Sequence, residues 1–273
     1  MVIDGKGIAS DLLVGIREGV LQLGRNPIVG VLSIEASPVT ESYLRIKHAK
    51  AVEAGMILDI IRMESDATTE AFLHKIGIYD KDALIVQLPL PEHLDRSAIL
   101  DAIPAARDAD VLSSAARARF TADEPGALLP PVVAAISEVL MRAGTKLEGK
   151  RAVVIGNGQL VGRPAASWLE AQGAIVTVLD KDTFSAKSGM LAEAEIIVSG
   201  AGSPHLITPD LISAGAVLID AGTSESGGAI VGDFDPACAE LASVFTPVPG
   251  GIGPIAVAHL FANVLKLVRA TEQ

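Results

Sequence analysis

Tyr43, Lys47 and Lys50 stand at i, i+4 and i+7 of one predicted helix, so they share a face. A lysine withdrawn from water has a lowered pKa and can exchange a proton with a hydrolytic water or a tetrahedral intermediate. Spacing alone favours an ordinary solvated face. Gln87 ends a buried apolar run, either as a strand-end cap or at the edge where open α/β sheets bind ligands. Asp108 and Asp110 follow in an irregular loop, where surface acids need no special role. A second constellation is Gly156, Gly158 and Gly162, which let backbone N–H groups approach a pyrophosphate at a helix N-terminus. Their spacing, G-x-G-x-x-x-G, is one residue longer than the common dinucleotide fingerprint, and a purely structural turn is the alternative. Asp180 follows Gly162 by 18 residues and ends the next strand, where an acid can hold a ribose. Histidines 48, 74, 93, 205 and 259 lack metal-ligand spacing, so no metal is expected.

These residues need elements to hold them. Ile8, Leu12, Leu13, Ile16, Val20 and Leu23 recur at helical period, and Gly24 and Pro27 end that first helix. Strand 28–34, helix 41–54, strand 56–63, helix 71–76, strand 83–88 and helix 97–103 then alternate, which implies a parallel sheet. The pattern breaks over 104–131, where Pro125-Gly126 and Pro130-Pro131 mark a loop and hinge. An apolar helix, 132–143, leads to strand 152–155, the glycine turn, helix 161–172 and strand 175–179. Strands 195–199, 216–220 and 244–247 precede a glycine-rich turn and a last helix that runs to about 270, with Pro254 in its first turn. The fold class is α/β, in two mononucleotide-like lobes.

Composition narrows the partners. A chain of 273 residues with 49% hydrophobic residues suits two domains with sizeable cores. A net charge of −11 repels phosphate backbones and 3% aromatic residues leave few stacking platforms, so no nucleic-acid partner is expected. No run of about 18 apolar residues suggests a membrane span or signal peptide. The single cysteine, Cys238, excludes an intrachain disulfide and reads as a small buried hydrophobe, so a cytoplasmic protein is expected.

The segments Ser42-Tyr43-Leu44-Arg45-Ile46-Lys47, Val86-Gln87-Leu88-Pro89-Leu90-Pro91, Val161-Gly162-Arg163-Pro164, Gly232-Asp233 and Thr246 through Pro254 together carry a resemblance. The chain resembles the bifunctional methylenetetrahydrofolate dehydrogenase/cyclohydrolases from Asp4 to its last helix. The resemblance implies an N-terminal folate-binding α/β domain, 1–130, to which the C-terminal helix 254–273 returns, and a Rossmann-like dinucleotide domain, 131–253. It implies a homodimer that binds folate between the lobes, oxidises 5,10-methylenetetrahydrofolate with a nicotinamide and hydrolyses the methenyl product to 10-formyltetrahydrofolate. Carried over by position, Tyr43 would stack on the aminobenzoyl ring and Lys47 would be the central catalytic residue. Gln87, with Leu88 beside it, would hydrogen-bond near Lys47, and Asp110 would hold the pterin. Pro249, Gly250, Gly251 and Pro254 would shape the wall beside the reacting carbon. Gly156, Asn157, Gly158, Val161, Gly162 and Arg163 would lie along the cofactor.

Three places depart from the family pattern. Asp-Val-Asp-Gly is Asp108-Ala109-Asp110-Val111 here, which puts a β-branched residue where glycine adopts positive φ readily. Pro-Cys-Thr-Pro is Pro130-Pro131-Val132-Val133, and Ala256 stands for a usual threonine. NADP-using relatives offer Arg and Ser in the glycine turn and a His-Ser-Arg type strand end, but this chain has Asn157-Gly158 and Asp180-Lys181-Asp182. Carboxylates there oppose a 2′-phosphate, so the expected cofactor is NAD, with NADP still usable through Lys181 or Arg163. Two other readings are a catalytically silent folate- or nucleotide-binding dimer and another nicotinamide dehydrogenase acting on an amino or hydroxy acid.

Overall fold

Alternating helical and strand periods force parallel pairing, and two parallel sheets result. The structure, a computed structural model, describes residues 1–34, 38–226 and 229–272. The chain divides into two compact units, the first Ser10–Pro131 with Val257–Gln273 and the second Met1–Ala9 with Val132–Ala256.

After helix α1 (Gly5–Leu23), the first unit contains β1 (Ile28–Ile34), α2 (Pro38–Glu53), β2 (Ile57–Met63), α3 (Thr69–Ile78), β3 (Ala83–Val86), α4 (Arg96–Asp101) and α5 (Ser114–Thr121). Its sheet runs β2-β1-β3, all parallel, with Val29, Val31 and Leu32 of the central strand fully buried. From β1 the chain adds a strand on one side and then on the other. The C-terminal ends of β1 and β3 therefore flank a topological switch point, where open α/β sheets bind ligands. Leu32, Phe72, Ile76, Leu84 and Ile99 make one core cluster beneath it.

The second unit adds α6 (Pro131–Arg142), β4 (Arg151–Ile155), α7 (Gly162–Ala171), β5 (Ile175–Leu179), α8 (Phe184–Lys187), β6 (Ile196–Ser199), β7 (Val217–Asp220), the hairpin β8 (Ser224–Ser226) and β9 (Ala229–Val231), and β10 (Val244–Phe245). Helix α9 (Ile252–Thr271) begins here and ends in the first unit. The parallel sheet runs β10-β7-β6-β4-β5, which puts a second switch point between β4 and β6. Val153, Ile155, Ile197, Leu218, Phe234 and Phe245 form its core, with the two phenylalanines edge-to-face at 6.3 Å.

By their contacts residues 1–9 group with the second unit. Ile3 N–H donates to Phe245 O and Phe245 N–H to Met1 O, both at 2.9 Å, so the first residues cover the open edge of β10. Strands expected over 83–88 and 244–247 stop at Val86 and Phe245, because Pro89 and Pro247 lack the N–H that a ladder needs. Helix 71–76 extends to Thr69–Ile78, capped by the Thr68 hydroxyl. The stretch 104–131 is not irregular throughout, since Ser113 caps α5 by accepting from Ala116 N–H at 3.2 Å. Among the described residues α9 is one helix long and apolar enough to cross a bilayer, yet its Ile255, Ala258, Phe261 and Val264 are buried in protein.

Candidate active site

Helix α2 packs through Leu44 and Ala51, which leaves Lys47 on the flank that faces the end of β3. Lys47 Nζ donates to Gln87 Oε1 at 2.8 Å, and Gln87 Nε2 donates to Leu88 O at 2.8 Å, so both ends of the amide are fixed. Gln87 is buried, and its N–H continues the ladder to Leu32 O at 2.8 Å, past the last residue of β3. Lys47 and Asp110 are half-exposed as residues but enclosed at their charged ends. Desolvation pulls the Lys47 pKa below the ordinary lysine value, while attraction to Asp110 opposes the shift. Burial pushes the Asp110 carboxyl up, opposed by Lys47 and reinforced by Asp108. A lysine with that surrounding can give up and retake a proton.

The loop that presents Asp110 is held from both sides. The fully buried Asp108 carboxylate accepts from Leu112 N–H at 3.1 Å and Ser113 N–H at 2.7 Å. Asn263 of α9 donates to Ala109 O and to Leu129 O, each at 2.9 Å. Between these anchors Val111 adopts φ +57°, so the left-handed turn survives in a residue whose branched side chain disfavours it. Tyr43 lies one turn before Lys47, half-buried on the same helix face. Lys50 instead pairs with Glu53 at 2.7 Å near solvent, so the solvated-face reading holds for it. A cavity of about 620 Å³ lies between 105–128 and 266–271 and shares only Asp108 with this group.

In the second unit a crevice of about 490 Å³ opens over the carboxyl ends of β4, β5 and β6, lined by Gly156, Asn157, Gly158, Asp180, Lys181 and Gly200 among others. Gly156 has φ +97°, and a Cβ there would lie 2.8 Å from Gly200 O. A Cβ on Gly162 would meet Gly156 O at 1.8 Å, so α7 can approach the turn only with glycine. Gly158 faces open space. Val161 offers α7 no side-chain cap, which leaves its first N–H groups without that partner. The absent side chains of the turn and a switch-point crevice fit a dinucleotide. Arg163 Nε bonds Asn157 O and Oδ1 at 3.1 and 3.2 Å and braces the turn. Asp180 Oδ1 accepts from Asp182 N–H, Thr183 N–H and Thr183 Oγ1, and these bonds hold its carboxyl below the usual range. No donor reaches Oδ2 among the described residues.

The tetrahydrofolate dehydrogenase/cyclohydrolase catalytic-domain family model matches residues 3–110, and the family's NAD(P)-binding domain model matches 130–272. The bifunctional protein FolD of Staphylococcus aureus strain Newman is 36% identical over 273 residues, 97% of this chain and 95% of that one. The chain belongs to the bifunctional FolD family. Two solved members are similar throughout. FolD from Trypanosoma brucei, complexed with NADP and an inhibitor, superposes with TM-score 0.94 at 30% identity over 100% of this chain and 98% of the other. FolD from Campylobacter jejuni gives TM-score 0.94 at 27% identity and covers 99% of both. The chain is thus a dehydrogenase and cyclohydrolase of folate one-carbon metabolism, with a nicotinamide dinucleotide as cofactor.

Within this chain the expected residues fall into three groups. Lys47, Gln87, Leu88, Asp110 and, one turn away, Tyr43 gather in the first unit. The glycine turn, Arg163, Asp180 and Lys181 gather at the crevice. Pro249, Gly250, Gly251 and Pro254 lie in the second unit's loop before and into α9, where a Cβ on Gly251 would meet Pro247 O at 2.6 Å. Reasoning from sequence missed a buried polar set, Ser199, Asp220, Asp233 and Thr246. Its signal was the Gly232-Asp233 pair, in which a Cβ on Gly232 would meet Asp220 Oδ2 at 2.1 Å. Among the described residues no three His, Cys, Asp or Glu groups converge to hold a metal.

Proposed function

We propose that the first unit binds folate through Tyr43 and Asp110 and works through Lys47, that Gln87 orients Lys47, and that the second unit takes NAD in preference to NADP. The 2.8 Å bond from a desolvated Lys47 to Gln87, with Asp110 close enough to act on its charge, carries the reading. The dinucleotide supplies the hydride acceptor for the methylene carbon. In the cyclohydrolase step water adds to the methenyl carbon. Lys47 as the neutral amine takes one proton from the water and returns it to the ring nitrogen as that C–N bond breaks, while the proton of the added hydroxyl leaves to solvent and its oxygen becomes the formyl carbonyl. Asp110 can accept from a pterin N–H group, and in its protonated form, favoured by its raised pKa, donate to a pterin ring nitrogen or carbonyl; Leu88 O holds the Gln87 amide in place meanwhile. The loop with Pro249, Gly250, Gly251 and Pro254 would border the reacting carbon.

Asp180, with Oδ2 free and Asp182 beside it, favours ribose hydroxyls over a 2′-phosphate. The working form is a homodimer, as the family resemblance implies, and the single cysteine supports a cytoplasmic setting. Purified protein should convert methylenetetrahydrofolate with either cofactor, at a kcat/KM for NAD that is roughly tenfold or more above that for NADP. A ratio of one or less would overturn the NAD assignment. Turnover that survives in Lys47→Met would overturn the assignment of Lys47.

A further inference from the structure

One wall of the dinucleotide crevice is the loop 200–203 that leaves β6, and a single side chain holds it. The last ladder bond is Gly200 N–H to Ile155 O at 2.9 Å. Beyond it, Ala201 and Gly202 N–H donate to Asp233 Oδ2 at 2.8 and 3.3 Å, and Ser203 N–H donates to Oδ1 at 2.7 Å. Ser199 Oγ adds a fourth bond, to Oδ2 at 2.7 Å. Asp233 is fully buried and acts only as an acceptor, the role of a carboxylate. Its place is prepared, since a Cβ on Gly222 would lie 2.2 Å from the carboxyl. The backbone of Asp233 is secured independently, by Ile207 N–H to its O at 3.0 Å.

The loop leaves no slack against the glycine turn. A Cβ on Gly156 would strike Gly200 O, and a Cβ on Gly200 would come within 2.4 Å of Val161 Cγ1. Movement of 200–203 is therefore passed to the turn that receives the pyrophosphate.

We propose that Asp233 is a positioning residue for the nicotinamide dinucleotide: its carboxylate stands in for the missing ladder over Ala201–Gly202–Ser203 and sets the crevice wall against Gly156, acting through that loop and Ser199. The proposal rests on the crevice being the dinucleotide site. Asparagine keeps the size but has one acceptor oxygen, and its NH₂ would face N–H groups.

The test is direct titration of purified full-length protein with NAD and with NADP, alongside KM measurements and melting with and without dinucleotide. In Asp233→Asn the dinucleotide Kd should rise by about tenfold or more and the melting shift from saturating dinucleotide should shrink, while the KM for methylenetetrahydrofolate moves less than about twofold. Ser199→Ala, which removes one of the four bonds, should weaken dinucleotide binding by about threefold. A dinucleotide Kd within about twofold of wild type in folded Asp233→Asn overturns the proposal, as does an equal rise in folate KM. Should that variant fail to fold, an unchanged Kd in Ser199→Ala overturns it. Gly158→Leu separates the underlying site from the proposal, because its side chain would enter open space without strain. Wild-type dinucleotide binding in Gly158→Leu removes the site itself; binding lost there but kept in Asp233→Asn removes only the role of Asp233.

Discussion

Replacing Lys47 by methionine keeps most of the stem and removes the charge, with consequences for two neighbours. Gln87 Oε1 loses its donor at 2.8 Å while Nε2 stays tied to Leu88 O, so the amide cannot turn to find water cheaply. A buried acceptor left bare costs about 1–3 kcal/mol, partly recovered because a desolvated ammonium is also gone. Asp110 loses the attraction that opposes its raised pKa, so its carboxyl should rise further. Methenyltetrahydrofolate hydrolysis should fall by about a hundredfold or more, the lower range for a positioned acid/base, while folate affinity changes far less. The pH profile offers a second reading. If neutral Lys47 is the base, hydrolysis rises with pH along a limb below the ordinary lysine pKa, and Asp110→Asn shifts that limb to lower pH by removing the charge that upholds the ammonium. The assay is the decay of methenyltetrahydrofolate without dinucleotide, followed across pH in buffers that do not catalyse it. Hydrolysis within about threefold of wild type in a Lys47→Met protein that still binds folate would refute the reasoning.

Asp180→Ser should lower the NAD to NADP ratio of kcat/KM by roughly tenfold, since serine keeps a hydroxyl for the turn and removes the charge facing the ribose; an unchanged ratio would show that Asp180 does not face it. Asp220, pushed up from 3.8 to about 6 mainly by burial, has a folded pKa above its unfolded one. Its contribution to stability is therefore full below about pH 4 and lost as pH rises through about 6, by roughly 3 kcal/mol. Denaturant titrations of wild type and Asp220→Asn should diverge across that window, and a constant difference would remove Asp220 as the cause. Val111→Gly relieves about 1–3 kcal/mol of left-handed strain but gives up a buried side chain, so it should destabilise by at least ~1 kcal/mol less than Val133→Gly in α6. Equal losses would show that Val111 is not strained.

How much the sequence disclosed is a matter of range. Tyr43 and Lys47 share a face because the helical period puts them there, and Gln87 sits at a strand end that an apolar run announces. The glycine turn and Asp180 are likewise local. Asp110 is legible only through the family pattern, because what brings it to Lys47 is Asn263 donating to Ala109 from 154 residues away. The Ser199–Asp233 bond spans 34 residues and the pairing of Asp220 N–H with Thr246 Oγ1 spans 26, with no periodicity to betray either. Helix α5 has a weakly apolar sequence held by a cap, so its period carried no signal. A valine in place of glycine at 111 does not abolish the turn, because Asp108 and Asn263 hold it strongly enough to impose its φ on the branched residue.

Each unit is assembled from two separated stretches of chain, with residues 1–9 serving one and 257–273 the other. During synthesis the edge of β10 and its covering strand meet only after some 245 residues have been made, and the Asp110 loop gains its Asn263 clamp later still. Neither unit can be finished while the other is unmade, so order of emergence cannot give an N-terminal domain that folds first and waits. For the same reason, no contiguous stretch of the chain holds either whole unit, and making the two units as separate polypeptides would require circular permutation or grafted termini, not a simple cut.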